Sequence, residues 1–165
     1  MNRFKHIALV LVTLIACIGC DQMTKDIARL DLRYREVVSF AQDSIRLQYT
    51  ENGGAFLSLG ASLPSAIKNG IFIVGVGVVL TALLGYLLFT TSLNRYTTIA
   101  LTLICAGGFG NLIDRILYDG YVVDFLNIGV GGLRTGIFNV ADIAITTGAI
   151  ALIIYGGIRR NHGQP

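Results

Sequence analysis

Charged side chains are scarce in this sequence, and their scarcity limits the folds it can adopt. Only 14% of the 165 residues are Asp, Glu, Lys or Arg, and 53% are hydrophobic. A soluble domain has about 25% charged residues, so an ordinary soluble fold is excluded. The run from residue 71 to residue 91 contains no charge at all. At about 1.5 Å per residue it is just long enough to cross a hydrocarbon core of about 30 Å, which predicts an integral membrane protein.

Cysteine and histidine are also rare. The three cysteines, Cys17, Cys20 and Cys105, all lie in apolar segments, and their odd number argues against a disulfide framework. Cys17 and Cys20 have Cys-x-x-Cys spacing, but no second pair and no nearby histidine accompanies them. His6 and His162 lie near the two ends of the chain, so His-activated Ser or Cys catalysis is disfavoured. We therefore expect no metal and no cofactor.

Four apolar segments predict four membrane spans, at about residues 7–25, 71–91, 97–117 and 138–158. The short stretches 1–6, 92–96 and 159–165 hold five Lys or Arg and no acid, whereas the connectors 21–70 and 118–137 hold seven Lys or Arg and eight Asp or Glu. By the positive-inside rule the basic stretches, including both termini, are cytoplasmic. The net charge of +3 is too small and too dispersed to indicate a nucleic-acid partner.

The first twenty residues also allow a second interpretation. A basic start, an apolar stretch and Leu14-Ile15-Ala16-Cys17 are typical of a bacterial lipoprotein signal peptide. Mature lipoproteins are usually soluble beyond the lipidated cysteine, whereas three further spans follow here. We therefore favour an uncleaved first helix.

The region from about residue 34 to 62 has a different pattern. Ile45, Leu47 and Tyr49 alternate with polar residues, which predicts a half-buried strand in a small extracytoplasmic β-sheet. The turn Asn52-Gly53-Gly54 then requires either a positive φ or a close backbone approach. By itself such a turn is more often structural than functional.

Polar residues in the spans are costly, about 2.5–3.5 kcal/mol for a charge at mid-helix, and so indicate function. One stripe of the third span carries Gly107, Gly110, Asn111 and Asp114. We expect Asp114 and Arg115 to form an ion-pair latch, with each other or with Asp21 or Lys25. Asp21 and Lys25 are four residues apart and share a face of the first helix, either as an interfacial pair or as part of a site.

The predicted topology brings Asp21, Asp114, Asp124 and Asp142 to one membrane surface. Asn139 is a good helix N-cap, and Asp142 lies in the first turn that follows. Asp124 has no cation beside it in the sequence. Two carboxylates in a poorly hydrated site share a proton, which is the chemistry of an aspartic peptidase. A Ser/Lys dyad that uses Lys25 stays open at this point.

Five motifs, in order, resemble those of the bacterial lipoprotein signal peptidases (signal peptidase II). They are Asp21-Gln22-x-Thr24-Lys25, Glu51-Asn52-Gly53-Gly54-Ala55-Phe56, Gly107-Gly108-x-Gly110-Asn111-Leu112-Ile113-Asp114-Arg115, Gly120-x-Val122-x-Asp124-Phe125 and Phe138-Asn139-x-Ala141-Asp142. Together they extend over nearly the whole chain. One departure is the single Ala55 before Phe56, where the commonest form of the motif has two small residues.

The resemblance implies a membrane all-α fold with a small β element: four transmembrane helices and an extracytoplasmic β-sheet in one peptidase domain, residues 1–165. It implies an aspartic peptidase of the inner membrane that cuts prolipoproteins just before their diacylglyceryl-modified cysteine, with Asp124 and Asp142 as the catalytic pair. The supporting residues that it implies are Asp21, Lys25, Asn52, Gly54, Gly108, Asn111, Asp114, Arg115, Asn139 and Ala141. We expect prolipoprotein and lipid partners, no nucleic acid, no cofactor and a monomer.

Two other functions are alternatives to a peptidase. A small transporter predicts a second polar helix face that reaches the cytoplasm, and the sequence has none. A lipoprotein-like membrane scaffold predicts that substituting Cys17 blocks lipidation and function. Cleavage of a diacylglyceryl-modified prolipoprotein would separate all three.

Overall fold

Among the residues that the structure describes, four helices are long and apolar enough to cross a membrane. The computed structural model describes residues 2–54 and 63–162. Its helices are α1 (Arg3–Asp31), α2 (Ser65–Asn69), α3 (Val76–Phe89), α4 (Arg95–Leu117) and α5 (Val140–His162). A π-helical segment, Gly70–Gly75, joins α2 to α3, so that Ala66–Phe89 forms one membrane-length helix.

A four-stranded antiparallel sheet accompanies these helices. Its strands are β1 (Val38–Phe40), β2 (Ile45–Asn52), β3 (Val122–Val130) and β4 (Leu133–Arg134), in the order β1-β2-β3-β4. The predicted fold class, four membrane-length helices with a small β-sheet, is therefore confirmed. The strand predicted at Ile45, Leu47 and Tyr49 is β2, and β1 lies within the predicted β region. Residues 118–137 were predicted to form a connector, whereas they contain β3 and β4. Residues 55–62 of the predicted β region lie outside the described residues.

Polar caps fix where the helices begin. The side chain of Asn2 accepts a hydrogen bond from the Lys5 amide at 2.9 Å and starts α1. Asn94 does the same for α4 through the Thr97 amide, at 3.0 Å. Each side chain satisfies an amide that the helix itself leaves without a partner. At its other end α1 continues to Asp31, beyond its predicted end at residue 25.

Helix α4 forms the centre of the bundle and packs against α1, α3 and α5. Half of the residues in the apolar stretch of α4 are buried, whereas only 11% of those in the apolar stretch of α1 are. A Cβ on Gly148 of α5 would lie 2.5 Å from the Ala100 carbonyl oxygen of α4, so the two helices approach closely at small residues. Large apolar side chains on the outer faces, such as Ile15 and Ile153, stay exposed, as is expected of surfaces that meet lipid.

We predict that Gly148→Ala destabilises the protein by about 1–3 kcal/mol, the usual cost of overpacking. The added methyl would meet the backbone of α4, which cannot move aside as a flexible side chain can. Thermal unfolding in detergent measures the effect. Gly156→Ala, in the same helix with nothing within 4 Å, is the matched control and should unfold at or slightly above the wild-type temperature. Equal stability of the two variants would contradict the close packing.

Candidate active site

The chain path brings four elements together at one end of the bundle. Helix α4 leads into β3, β4 leads into α5, and α1 ends beside β3 and β2. The C-terminal halves of α1 and α4, the start of β3 and the first turn of α5 therefore meet. All twelve sequence-predicted site residues lie at this end or one turn below it, and eleven of them belong to a single hydrogen-bonded network.

Gly108 is the exception. A Cβ there would meet the side chain of Leu80 on α3, so this glycine gives α3 room to pack on α4 and makes no contact with the network. Its place in the bundle is structural.

A cavity of about 600 Å³ opens at the centre of the network. Asp124 and Asp142 both line it. The other lining residues are Asn52, Asn111, Arg115, Val122, Arg134, Thr135, Gly136, Ile137, Phe138, Ile143, Thr146 and Thr147. Arg134, Thr146 and Thr147 were not identified from the sequence, because no motif marks them.

Two side-chain amide groups hold the carboxylate of Asp124, which lies on β3. Its Oδ2 accepts from Asn52 Nδ2 at 3.0 Å, and its Oδ1 accepts from Asn139 Nδ2 at 2.7 Å. Only 3% of the residue is exposed. The pKa of Asp124 is raised to about 6, mainly by burial and also by the nearby Asp142 charge, while the bonds from Asn52 and Asn139 act in the opposite direction.

Asp142 belongs to a capping box at the start of α5. Asn139 Oδ1 accepts from the Asp142 amide at 2.9 Å, and Asp142 Oδ2 accepts from the Asn139 amide at 3.2 Å. The predicted N-cap is therefore present. Because Asn139 Nδ2 also donates to Asp124, one asparagine binds both carboxylates of the cavity.

Asn111 supplies the second support for Asp142. Its Nδ2 donates to Asp142 Oδ1 at 2.9 Å, and its Oδ1 accepts from Lys25 Nζ at 3.0 Å. An ammonium group can only donate, so Lys25 fixes which end of the Asn111 amide faces Asp142. The orientation of Asn111 thus follows from the position of a charge on another helix.

Lys25 lies between two buried aspartates. Its Nζ is 2.7 Å from Asp21 Oδ2 and 3.1 Å from Asp114 Oδ2. Asp21 Oδ1 accepts from the Ala141 amide, and Asp114 Oδ2 accepts from the Val123 amide. The predicted pairing of Asp114 with Lys25 is therefore present, and it connects α1 and α4 to α5 and β3.

The same contacts argue against Lys25 as a catalytic base. With Asp21, Asp114 and Asn111 bound, its ammonium has donated all three hydrogens. A Ser/Lys dyad would require a free amine at this position. Gln22, which the sequence motif contained but to which no role was assigned, also donates to Asp114 Oδ1 at 2.9 Å.

Arg115 differs from its prediction. Among the described residues it forms no ion pair with a carboxylate, so its predicted pairing with Asp114 or Asp21 is wrong. It donates instead to two carbonyl oxygens, that of Asn111 at 3.2 Å and that of Gly54 at 2.8 Å. Arg115 therefore attaches the loop after β2 to α4. Backbone carbonyl oxygens take the place of the carboxylate as acceptors for its guanidinium.

That loop also positions Asn52, whose Oδ1 accepts from the Gly54 amide at 2.9 Å. Neither Gly53 nor Gly54 has a positive φ. A Cβ on Gly53 would lie 2.9 Å from the ring of Tyr121, so close approach explains this glycine. Of the two reasons for a glycine here that the sequence left open, the structure selects the second.

Comparison with known proteins identifies related sequences and structures. The family model described as signal peptidase (SPase) II matches residues 13–157. A lipoprotein signal peptidase of Chlorobium phaeobacteroides strain BS1 is 39% identical over 144 residues, covering 82% of this chain and 87% of that protein. One of Borrelia hermsii is 37% identical over 130 residues, covering 76% of this chain and 75% of that protein.

A solved structure, described as a bacterial membrane enzyme obtained by the in meso method at 2.3 Å resolution, superposes with a TM-score of 0.81 at 26% identity. The superposition covers 94% of this chain and 91% of that one. Sequence and fold therefore agree over nearly the full length of the chain. It belongs to the signal peptidase II family, the membrane-spanning peptidases that process lipoproteins.

Proposed function

We propose that this chain is an aspartic endopeptidase that removes signal peptides from diacylglyceryl-modified prolipoproteins, cleaving just before the lipidated cysteine. Asp124 and Asp142 are its catalytic pair. The observation that carries the proposal is that both carboxylates line one cavity and both accept hydrogen bonds from Asn139, that of Asp124 from its side chain and that of Asp142 from its backbone amide. Nine of the other ten residues implied by the sequence motifs belong to the network that holds this pair in place, and Gly108 gives α3 room to pack on α4.

The reaction is hydrolysis of a peptide bond by water. One carboxylate removes a proton from water as the water oxygen bonds to the carbonyl carbon, while the protonated partner donates to the carbonyl oxygen. Collapse of the resulting diol breaks the C–N bond and returns a proton to the leaving nitrogen. No bond to the protein forms, so no nucleophilic side chain is needed.

The environment of Asp124 suits a pair that shares one proton. With a pKa raised to about 6, its carboxyl keeps a proton where an ordinary aspartate has lost it. Because both carboxyl groups line one cavity and bind Asn139, we assign the proton of the proposed mechanism to the pair. The rate should then follow a bell-shaped pH profile.

The site lies at the outer surface of the bacterial cytoplasmic membrane, with both termini in the cytoplasm. The distribution of basic residues supports this orientation. The diacylglyceryl group of the substrate stays in the outer leaflet while the peptide reaches the cavity. Chains already in lipid gain little by binding, so the lipid mainly positions the scissile bond. The chain works as a monomer, as one domain and without a cofactor.

We predict that Asp124→Asn and Asp142→Asn each lower cleavage of a diacylglyceryl-modified prolipoprotein by at least about a thousandfold, within the range for loss of acid–base catalysis. Both variants should insert and purify normally, because Asn keeps the size of the side chain. The double variant should be hardly slower than either single one, since the two residues act as a unit. Gel-based cleavage in detergent with purified protein measures all three.

Asp31→Asn, at an exposed aspartate at the end of α1, is the matched control and should cleave at the wild-type rate. The unmodified precursor of the same substrate should be cut far more slowly. Substantial turnover by either active-site variant would move the catalytic role elsewhere. Equal cleavage of the modified and unmodified precursors would contradict the proposed role of the lipid.

A second prediction concerns stability and pH. Because folding raises the pKa of Asp124 from an ordinary 3.8 to about 6, the folded protein binds a proton more tightly than the unfolded chain. This contribution is fully present below the unfolded pKa and is lost as the pH rises through 6. Asp124→Asn lacks it, so the variant should gain about 2 kcal/mol relative to wild type between pH 4 and pH 7. Parallel melting curves across that range would contradict the buried, proton-binding carboxyl.

A third prediction tests the orientation. Reporters fused after Thr91 and after Arg160 should read cytoplasmic, and a reporter near Ser44 should read extracytoplasmic, because the short basic stretches stay inside. Paired alkaline phosphatase and fluorescent-protein fusions in a bacterial host measure this. A C-terminal reporter that reads outside would rule out the proposed four-span orientation.

A further inference from the structure

Arg134 lines the catalytic cavity yet takes no part in the network that holds the two aspartates. Its guanidinium is fixed in place: Nε donates to Asn127 Oδ1, and one terminal nitrogen donates to the Asp43 carbonyl oxygen at 2.7 Å. The other terminal nitrogen is buried and has no acceptor among the described residues. A buried donor without an acceptor costs about 1–3 kcal/mol, which a bound acceptor would recover.

The charge around Arg134 is also unbalanced. Asp43 makes a bidentate contact with Arg46, at 2.5 and 2.7 Å, and lies 3.5 Å from Arg134. One carboxylate thus serves two guanidinium groups, which leaves this cluster with a net charge of +1. The excess charge lies on the wall of a cavity that is open to a substrate.

The position of Arg134 indicates which part of a substrate it meets. Its partner Asn127 is three residues beyond Asp124 on β3, about 10 Å along the strand. The opposite wall of the cavity is formed by Ile143, Thr146 and Thr147 of α5, on a membrane-length helix. A signal peptide held in the membrane would approach along α5, and the chain after the scissile bond would leave past Arg134.

We propose that Arg134 is a specificity-determining residue that binds the substrate about three residues after the scissile bond, a distance of about 10 Å in extended peptide. Its guanidinium binds a carboxylate there in preference to an ammonium group. When the substrate has neither at that position, the guanidinium donates to a backbone carbonyl. This inference rests on the proposed function, because it assumes a peptide that crosses the cavity. Arg134 is too far from the reacting atoms to act on them, so its effect lies in KM more than in kcat.

The test is a competition between two diacylglyceryl-modified prolipoproteins that differ only in Glu or Lys at the third residue after the scissile bond. Wild type should cleave the Glu substrate about fivefold more efficiently, the size that one partly exposed charge pair supplies. Arg134→Gln should cleave the two about equally, and Arg134→Glu should invert the preference. Because both substrates are cleaved in one tube, the ratio does not depend on how much of a variant is folded.

Arg33→Gln is the matched control. Arg33 lies two residues after α1, pairs with Glu51 and does not line the cavity, so the fivefold ratio should persist. A scan of the single Glu along the substrate with wild-type enzyme needs no variant, and its efficiency should peak near the third position.

A ratio near one for wild type, a flat scan, or the wild-type ratio in Arg134→Glu would each overturn the role of Arg134. These outcomes leave the proposed function standing, because both substrates are still cut. Failure of wild type to cut either substrate, or full activity in Asp124→Asn, would instead overturn the proposed function and this inference with it.

Discussion

One buried cation organises the end of the bundle where the cavity lies. Lys25 and its partner Asp21 are each almost completely withdrawn from solvent. Removing one partner from such a group costs about 3–5 kcal/mol, because the remaining charge cannot be hydrated. The two aspartates outnumber the lysine, and backbone amides of Ala141 and Val123 offset the difference. The ion group can therefore form only when β3 and α5 are in place.

From this cation the order extends to the proposed catalytic pair, Asp124 and Asp142, through groups whose donors and acceptors are fixed. Lys25 determines which end of the Asn111 amide meets Asp142, and the start of α5 determines which end of Asn139 meets Asp124. Asparagines can occupy two nearly isosteric orientations, and here each is held in one. The two carboxyl groups of the proposed catalytic pair are thereby kept in a constant hydrogen-bonding environment, as electrostatic preorganisation requires.

Helical periodicity made much of this arrangement predictable. The span count, the stripe that contains Asp114 and the cap at Asn139 follow from spacing alone, and the motifs supplied the remaining site residues. Strand β3 was missed because its first half is buried on both faces, so the alternation that marks a strand is absent. The partner of Arg115 was missed because it is a carbonyl oxygen of Gly54, and a backbone atom leaves no trace in a sequence pattern. A role for Arg134 could not be predicted from the sequence, because only the folded chain shows that it lines the cavity.

The shallow burial of α5 has a consequence for kinetics. Only 17% of the residues in its apolar stretch are buried, although its first turn carries Asp142. Its exposed residues Thr146 and Thr147 form a wall of the cavity. On the proposed function, a membrane-bound precursor reaches such a wall by lateral diffusion. Its encounter rate then depends on molecules per unit area of bilayer. On the same proposal, the excised signal peptide would be released into that two-dimensional phase, where it could compete with fresh precursor.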